Sequence, residues 1–150
     1  SENSEEKDLR ITINTADRLL LDGSLVCTGE TAPLDDYDMQ YKNGEMNPLT
    51  AVIDNDMYCV SDTECNGKNF YGVKFSDIKT GATICYETGK EFKYWLVWNE
   101  WGNKGYCCAE PMSWMIDAPN IPLEAEKTGY TELKTGESWT GYQHLYSFNK

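Results

Sequence analysis

The sequence predicts an all-β, mainly antiparallel fold, and three observations support this class. Turn signals such as Asp-Gly, Asn-Gly and Thr-Gly recur about every 8–12 residues, the spacing of a meander or a sandwich. Apolar and polar residues alternate between the turns, as they do in half-buried strands. No stretch keeps a helical period over three turns, and 121–127 is the only short helical candidate.

Short apolar or alternating runs between turn signals are the predicted strands. The alternation is clearest at 9–13, and Asp22-Gly23 is a hairpin signal between two later runs. An acidic irregular stretch covers 30–38. Pro111 has no backbone N–H and is expected to end the strand before it. The predicted strands are 9–13, 19–21, 25–27, 51–53, 57–60, 70–75, 82–88, 92–98, 106–110 and 138–148.

Length and composition predict one folded domain. The chain has 150 residues, of which 40% are hydrophobic and 13% aromatic, enough for a packed core. Residues 1–8 are polar and charged, and we expect them to be a disordered terminus or the stump of a linker. Residues 9–150 are expected to form the β domain.

Charge and cysteine content exclude several function classes. The net charge of −12 disfavours nucleic acid and anionic membranes as partners. No apolar run is long enough for a transmembrane helix, and no signal peptide pattern is present, so we expect a cytoplasmic protein. The six cysteines include no Cys-x-x-Cys pair and the chain has one histidine, which predicts free, mostly buried thiols and no metal site. No cofactor is expected.

Carboxylates are the strongest candidates for chemistry. Glu110 follows the apolar run 106–109 and would project from the end of a rigid strand, where burial would raise its pKa toward the range of a general base. The alternative is a solvated carboxylate. Asp54, Asn55 and Asp56 interrupt two apolar runs and could bind sugar hydroxyls, or could simply form a tight turn.

Tryptophans near the predicted Glu110 strand are candidate sugar-stacking residues, because indole rings pack on the apolar faces of pyranoses. Alternation puts Trp95 and Trp98 on opposite faces of one strand, so core packing must account for some of them, and at most two are expected to line a site. His144 is interpreted as a packing residue rather than a general acid. The tryptophans concerned are Trp95, Trp98, Trp101 and Trp114.

One region resembles a known family. Residues 105–114 read Gly-Tyr-Cys-Cys-Ala-Glu-Pro-Met-Ser-Trp, and Asp-Ala-Pro-Asn at 117–120 and Leu-Lys-Thr-Gly-Glu-Ser at 133–138 follow. This order resembles the C-terminal region of aldose 1-epimerases (galactose mutarotases). Cys-Thr-Gly at 27–29 and the segment 54–58 resemble upstream elements of that family, with Asp54, Asn55 or Asp56 at the sugar-binding position.

The resemblance implies a mainly antiparallel β-supersandwich, of which residues 9–150 are a single sandwich domain or the C-terminal portion. It implies that a free hexose such as galactose or glucose binds in an open cleft and that acid/base ring opening interconverts its anomers. Glu110 is then the general base, and the substrate-binding residues are Asp54, Asp56, Trp98 and Trp114.

The family's active-site histidines lie in an N-terminal half that this sequence does not contain. We therefore expect little activity from the chain alone, and an N-terminal half or a second chain as a possible partner that completes the fold. The alternative function is a non-catalytic carbohydrate-binding module or sugar-sensing β-sandwich domain. Sugar binding without anomer interconversion would favour that alternative.

Overall fold

The computed structural model describes residues 4–149 and confirms the predicted all-β, mainly antiparallel class. Two short α-helices, α1 (Asp36–Asn43) and α2 (Ala125–Thr128), and three 3-10 turns (Glu6–Asp8, Glu100–Gly102, Ala118–Asn120) accompany the strands. The strands are β1 (Leu9–Ile13), β2 (Thr15–Leu21), β3 (Cys27–Ala32), β4 (Asp56–Val60), β5 (Thr63–Cys65), β6 (Lys68–Phe70), β7 (Gly72–Asp77), β8 (Ala82–Thr88), β9 (Tyr94–Trp98), β10 (Cys108–Met112) and β11 (Gln143–Asn149).

The strands form two main sheets that pack face to face. Sheet I has the order β1-β7-β8-β11, and sheet II has the order β10-β9-β4-β2-β3. The hairpin β5–β6 is a separate ribbon with Asn66-Gly67 at its turn. Every pairing is antiparallel. The chain is therefore a sandwich, with β10 and β11 each at one edge of its sheet.

The core between the sheets follows from alternation along the strands. Ile11, Ile13 and Val73 point inward from sheet I. Trp95 and Val97 point inward from sheet II and are fully buried. Burying such side chains stabilises the fold by about 1.5–3 kcal/mol each.

The other face of sheet II is also covered. Leu19 and Met57 on that face pack against Met115 and Ile121, which belong to the segment after β10. Tyr94 alternates with Trp95 and joins this second cluster. Sheet II is thus apolar on both faces over most of its width. An exposed polar residue on this sheet is therefore unusual.

Helix α1 is a departure from the prediction of an irregular stretch at 30–38. Asp35 accepts a hydrogen bond from the backbone N–H of Asp38, and Asp38 accepts one from Asp35, which forms a reciprocal cap. Gly44 ends the helix in the left-handed conformation (φ 69°). The helix has eight residues, too few to show a period over three turns.

Several predicted strand bounds are wrong, for local reasons. Residues 51–53 are not a strand, because the buried Asn99 side chain accepts from Ile53 N–H and donates to the Ala51 carbonyl. Pro111 does not end β10, which continues to Met112 as an edge strand where a missing N–H is tolerated. The closing strand begins at Gln143, and the helix predicted at 121–127 is limited to α2.

The N-terminal prediction is tested only in part. Residues 1–3 lie outside the described part of the chain, and Glu6–Asp8 form a 3-10 turn where the sequence predicts no regular structure. The assignment of 9–150 to one domain, or the C-terminal portion of one, stays a prediction.

All six cysteines are free thiols, and Cys27, Cys65 and Cys85 are buried. None of the helices within residues 4–149 has the length and apolarity needed to cross a membrane.

Candidate functional site

Glu110 lies in the middle of β10, not at its end, and is exposed on the edge of sheet II. The expected burial is therefore wrong, and the alternative of a solvated carboxylate is the one that the structure shows. Glu110 pairs with Leu96 of β9, which in turn pairs with Met57 of β4, so the three side chains share one face. This is the face that the segment after β10 covers farther along the sheet. Glu110 is therefore a carboxylate at the uncovered rim of an otherwise apolar surface.

Trp98 holds one oxygen of this carboxylate. Its Nε1–H donates to Glu110 Oε1 over 2.9 Å. Trp95 and Val97 anchor β9 in the core, and alternation then directs Trp98 to the same face as Glu110. Within residues 4–149, no hydrogen bond occupies Oε2 of Glu110, so this oxygen can accept a proton from a hydroxyl group.

An aromatic ring and a second carboxylate border the pair. The ring of Tyr106 meets Trp98 edge to face, with ring centroids 5.7 Å apart. Tyr106 donates its hydroxyl to Glu100 Oε2 over 2.5 Å, and this hydrogen bond raises the pKa of Tyr106 to about 12. The phenol therefore stays neutral at physiological pH and acts as a hydrogen-bonding group.

The loop before β4 reaches the same end of sheet II. Asp56 pairs with Val97, so Asp54 and Asn55 directly precede β4 at the end of β9 that carries Trp98. Asn55 has a positive φ of 57° and donates its side-chain amide to Asp54 Oδ1 over 3.0 Å. Asp54 is exposed. The structure thus shows the tight turn, one of the two predicted alternatives, and sugar binding by Asp54 stays a prediction.

Asp56 faces away from this loop into the core and is 4% exposed. Its Oδ2 accepts hydrogen bonds from Tyr37 and Tyr41, and its Oδ1 accepts from Arg18 over 3.0 Å. Burial raises the pKa of Asp56, and the hydroxyl donors and the guanidinium oppose that shift. Asp56 therefore joins β4 to α1 and β2, and its predicted sugar contact is replaced by a role in folding. The alternation of side chains along β4 did not predict that Arg18 is the partner of Asp56.

Trp114 lies in a different place from Glu110 and Trp98. It stacks on Tyr130, with centroids 5.3 Å apart and ring planes 5° apart. Both rings line an open cavity of about 490 Å³, and neither Glu110 nor Trp98 does so. The irregular segment after α2 also contributes Leu133 and Trp139 to the lining. Tyr130 and Trp139 were not among the predicted site residues, although aromatic side chains in a largely polar stretch are a usable sequence signal.

The remaining candidate residues lie neither beside Glu110 and Trp98 nor in the Trp114 cavity. Trp95 is fully buried in the core, and Trp101 is exposed in the turn Glu100–Gly102. His144 is exposed on β11, with its Nδ1 3.7 Å from Glu87 Oε2. His144 thus belongs to sheet I and Glu110 to sheet II, and the interpretation of His144 as a packing residue rather than a general acid stays a prediction. No cluster of three potential metal ligands occurs in residues 4–149.

Two solved structures share this fold. A galactose mutarotase-like protein from Clostridium acetobutylicum superposes with a TM-score of 0.93 at 30% identity, and the match covers 99% of this chain and 44% of that protein. A putative aldose 1-epimerase from Escherichia coli K12 gives a TM-score of 0.69 at 19% identity, with coverage of 98% and 48%. No protein-family model matches the chain.

These comparisons confirm the resemblance predicted from the sequence. The chain has the fold of galactose mutarotase-like proteins along nearly its whole length. It spans slightly less than half the length of each of the two solved structures. It therefore has a part of that fold, as the sequence analysis predicts.

Proposed function

We propose that this chain supplies the general-base side of a carbohydrate epimerase-like site, with Glu110 as the base. The observation that carries the proposal is the exposed carboxylate on β10, held through Oε1 by Trp98 Nε1–H and open at Oε2. The mutarotase-like fold supports a carbohydrate as the substrate class. We propose a hexose such as galactose or glucose.

The proposed reaction is ring opening followed by ring closure. Glu110 Oε2 takes the proton of the anomeric hydroxyl, the C1–O bond within the ring breaks, and an acid delivers a proton to the released ring oxygen. Rotation about C1–C2 and the reverse proton transfers give the other anomer. Because His144 lies on sheet I, we propose that the acid comes from outside the described residues.

The proposed sugar contacts are Asp54 and Trp98. Asp54 is exposed next to the Trp98 end of β9, and a carboxylate can accept hydrogen bonds from two adjacent hydroxyls. Trp98 offers an aromatic surface beside the base. Asp56 is left out, because its oxygens are buried and bonded.

The test is Glu110→Gln in the completed protein, by which we mean this chain combined with the part of the fold that it does not cover. Glutamine keeps the size and the Trp98 hydrogen bond but cannot take a proton, so anomer exchange measured by NMR should fall about 10²–10⁴-fold. Glu64→Gln, at an exposed residue of β5, is the matched control and should exchange at the unchanged rate. Full activity of Glu110→Gln would remove Glu110 from the mechanism.

The second candidate is a non-catalytic carbohydrate-binding domain, and the Trp114 cavity favours it. Aromatic rings of Trp114, Tyr130 and Trp139 line this cavity together with the polar Glu91 and Lys93. Calorimetry against a panel of hexoses, on the wild type and on Trp114→Ala, separates the two functions. Binding that Trp114→Ala abolishes and that occurs without anomer exchange in the completed protein would favour the binding domain.

A further inference from the structure

Two cysteines from separate elements meet where the β5–β6 hairpin packs on sheet I. Cys65 ends β5 next to the turn at Asn66-Gly67, and Cys85 lies in the middle of β8. Their Sγ atoms are 3.8 Å apart, and within residues 4–149 no other hydrogen bond joins two cysteine sulfurs. The sulfurs of a disulfide are about 2.0 Å apart, so each sulfur has to move by roughly 1 Å to form the bond.

Cys85 points to the outer face of sheet I, which the hairpin covers. Tyr86 pairs with the core residue Val73 and points inward, so its neighbour Cys85 points to the opposite face. Cys65, Phe70 and Cys85 form a small buried cluster there. Cys65 is 9% exposed and Cys85 is 0% exposed. A small molecule that enters beneath the hairpin therefore reaches Cys65 first.

The hairpin is the element that can open above this cluster. In the part of the chain that the structure describes, β5 and β6 pair with each other and with no strand of the two main sheets. Each of the two strands has three residues, and a two-stranded ribbon by itself is marginally stable. The hairpin thus depends on the contacts of Cys65 and Phe70 with sheet I.

The surroundings of Cys85 control its reactivity. Its partners in the neighbouring strands, on the same face, are Lys74 of β7 and Tyr146 of β11. Burial and the hydrogen bond with Cys65 raise the pKa of Cys85 to about 11, and Tyr146 and Lys74 oppose that rise. The thiol of Cys85 is therefore protonated at neutral pH, and its reactive thiolate increases as the pH rises.

We propose that Cys65 and Cys85 are a reversible redox modification site, at which a small disulfide such as glutathione disulfide links the β5–β6 hairpin to sheet I. Both thiols are in contact in the folded chain, and the hairpin that carries Cys65 can give the oxidant access. The site lies on sheet I, whereas Glu110 lies on sheet II, so it does not depend on the proposed function.

The reaction consists of two thiol–disulfide exchanges. The Cys65 thiolate attacks one sulfur of glutathione disulfide, which forms a mixed disulfide and releases one glutathione thiolate. The Cys85 thiolate then attacks Cys65 Sγ, which forms the Cys65–Cys85 bond and releases the second glutathione thiolate. The released thiolates take up the two protons that the cysteines lose. The cysteines are thus oxidised by two electrons, and glutathione disulfide is reduced by two.

The experiment is incubation of the folded chain with glutathione disulfide, followed by acid quenching, alkylation of the remaining thiols and peptide mapping without reduction. A peptide pair joined through Cys65 and Cys85, about 2 Da lighter than the two free peptides, should appear and should disappear after dithiothreitol. It should form severalfold faster at pH 8 than at pH 7, because Cys85 then has more thiolate.

Two variants separate this pair from the other thiols. Cys85→Ala should stop at a mixed disulfide of Cys65 with glutathione, because the attacking thiol of the second step is missing. Cys108→Ala, at a half-buried cysteine of β10, is the matched control and should form the Cys65–Cys85 link like the wild type. A mixed disulfide that persists on Cys65 in the wild type would overturn the proposal.

A second measurement is the melting temperature of the oxidised chain. The two cysteines are 20 positions apart, and a disulfide that closes a loop of this length should raise the melting temperature by about 5–10 °C. Dithiothreitol should reverse the increase. Absence of the linked peptide, a link that forms only after unfolding in urea, or an oxidised chain that melts no higher than the reduced one would overturn the proposal.

Discussion

Asp54 and Asp56, two residues apart, show how the immediate surroundings decide the role of a carboxylate. Asp54 is exposed in a turn, whereas Asp56 is buried among Arg18, Tyr37 and Tyr41. Without Asp56, Arg18 keeps Asp38 as a carboxylate partner at 2.9 Å, but the buried Tyr41 hydroxyl has no acceptor, and an unsatisfied buried donor destabilises the fold. The two residues therefore make a matched pair for separating folding from sugar binding.

We expect Asp56→Ala to lower the free energy of unfolding by about 1–3 kcal/mol, because the buried Tyr41 hydroxyl loses its acceptor while Arg18 keeps Asp38 and Tyr37 keeps the Val52 carbonyl. Urea denaturation followed by circular dichroism measures this loss. Asp54→Ala should change the free energy of unfolding by less than about 0.5 kcal/mol. Equal effects of the two substitutions would contradict the burial of Asp56.

Sequence patterns revealed the candidate residues but not their partners. The Glu110–Trp98 contact follows from the register of β9 and β10, and alternation alone put both side chains near one strand end. The Asp56 cluster needs α1 to fold back over β2 and β4. Trp114 lies close to Glu110 in the sequence, but the chain leaves the sheet after Met112 and carries Trp114 to another cavity.

Among the elements, strands and hairpins were the most predictable. Alternation at 9–13 predicted β1 with its observed bounds, whereas the predicted strands left out the β5–β6 hairpin around Asn66-Gly67. Helix α1 depends on the reciprocal cap of Asp35 and Asp38. This capping pattern is hard to recognise in the sequence, because the surrounding stretch is also acidic. The extent of β10 depends on its edge position, which no local pattern reveals.

The cap of α1 predicts a pH-dependent stability. Backbone hydrogen bonds at the start of α1 lower the pKa of Asp35 below its ordinary value of 3.8, so its ionised form stabilises the folded state. That stabilisation is fully present above the ordinary pKa and is lost as the pH falls through the lowered folded-state pKa. Asp35→Ala should therefore lower the melting temperature at pH 7 and make little difference at pH 2.

The control for this helix is Asp35→Asn, which keeps the oxygen acceptor of the cap. Thermal melts of the wild type and both variants across this pH range provide the comparison. Asp35→Asn should retain most of the melting temperature at pH 7. If Asp35→Ala and the wild type melt together at pH 7, the cap does not stabilise α1.

At the scale of the whole molecule, the sequence predicted the fold class and the family resemblance because both depend on patterns that run along the chain. It did not predict which side of the sandwich is open. That property emerges only when β8 lies over β9 and leaves Leu145 facing inward without a covering layer.

The most direct measurement is the rate of anomer exchange of galactose and glucose in the presence of this chain alone and of the completed protein, followed by NMR under one buffer condition. Under the proposed function the chain alone supplies only the base, so its rate should stay near that of buffer, and the completed protein should exchange the anomers far faster. Rapid exchange by the chain alone, or none by a correctly folded completed protein, would contradict the account.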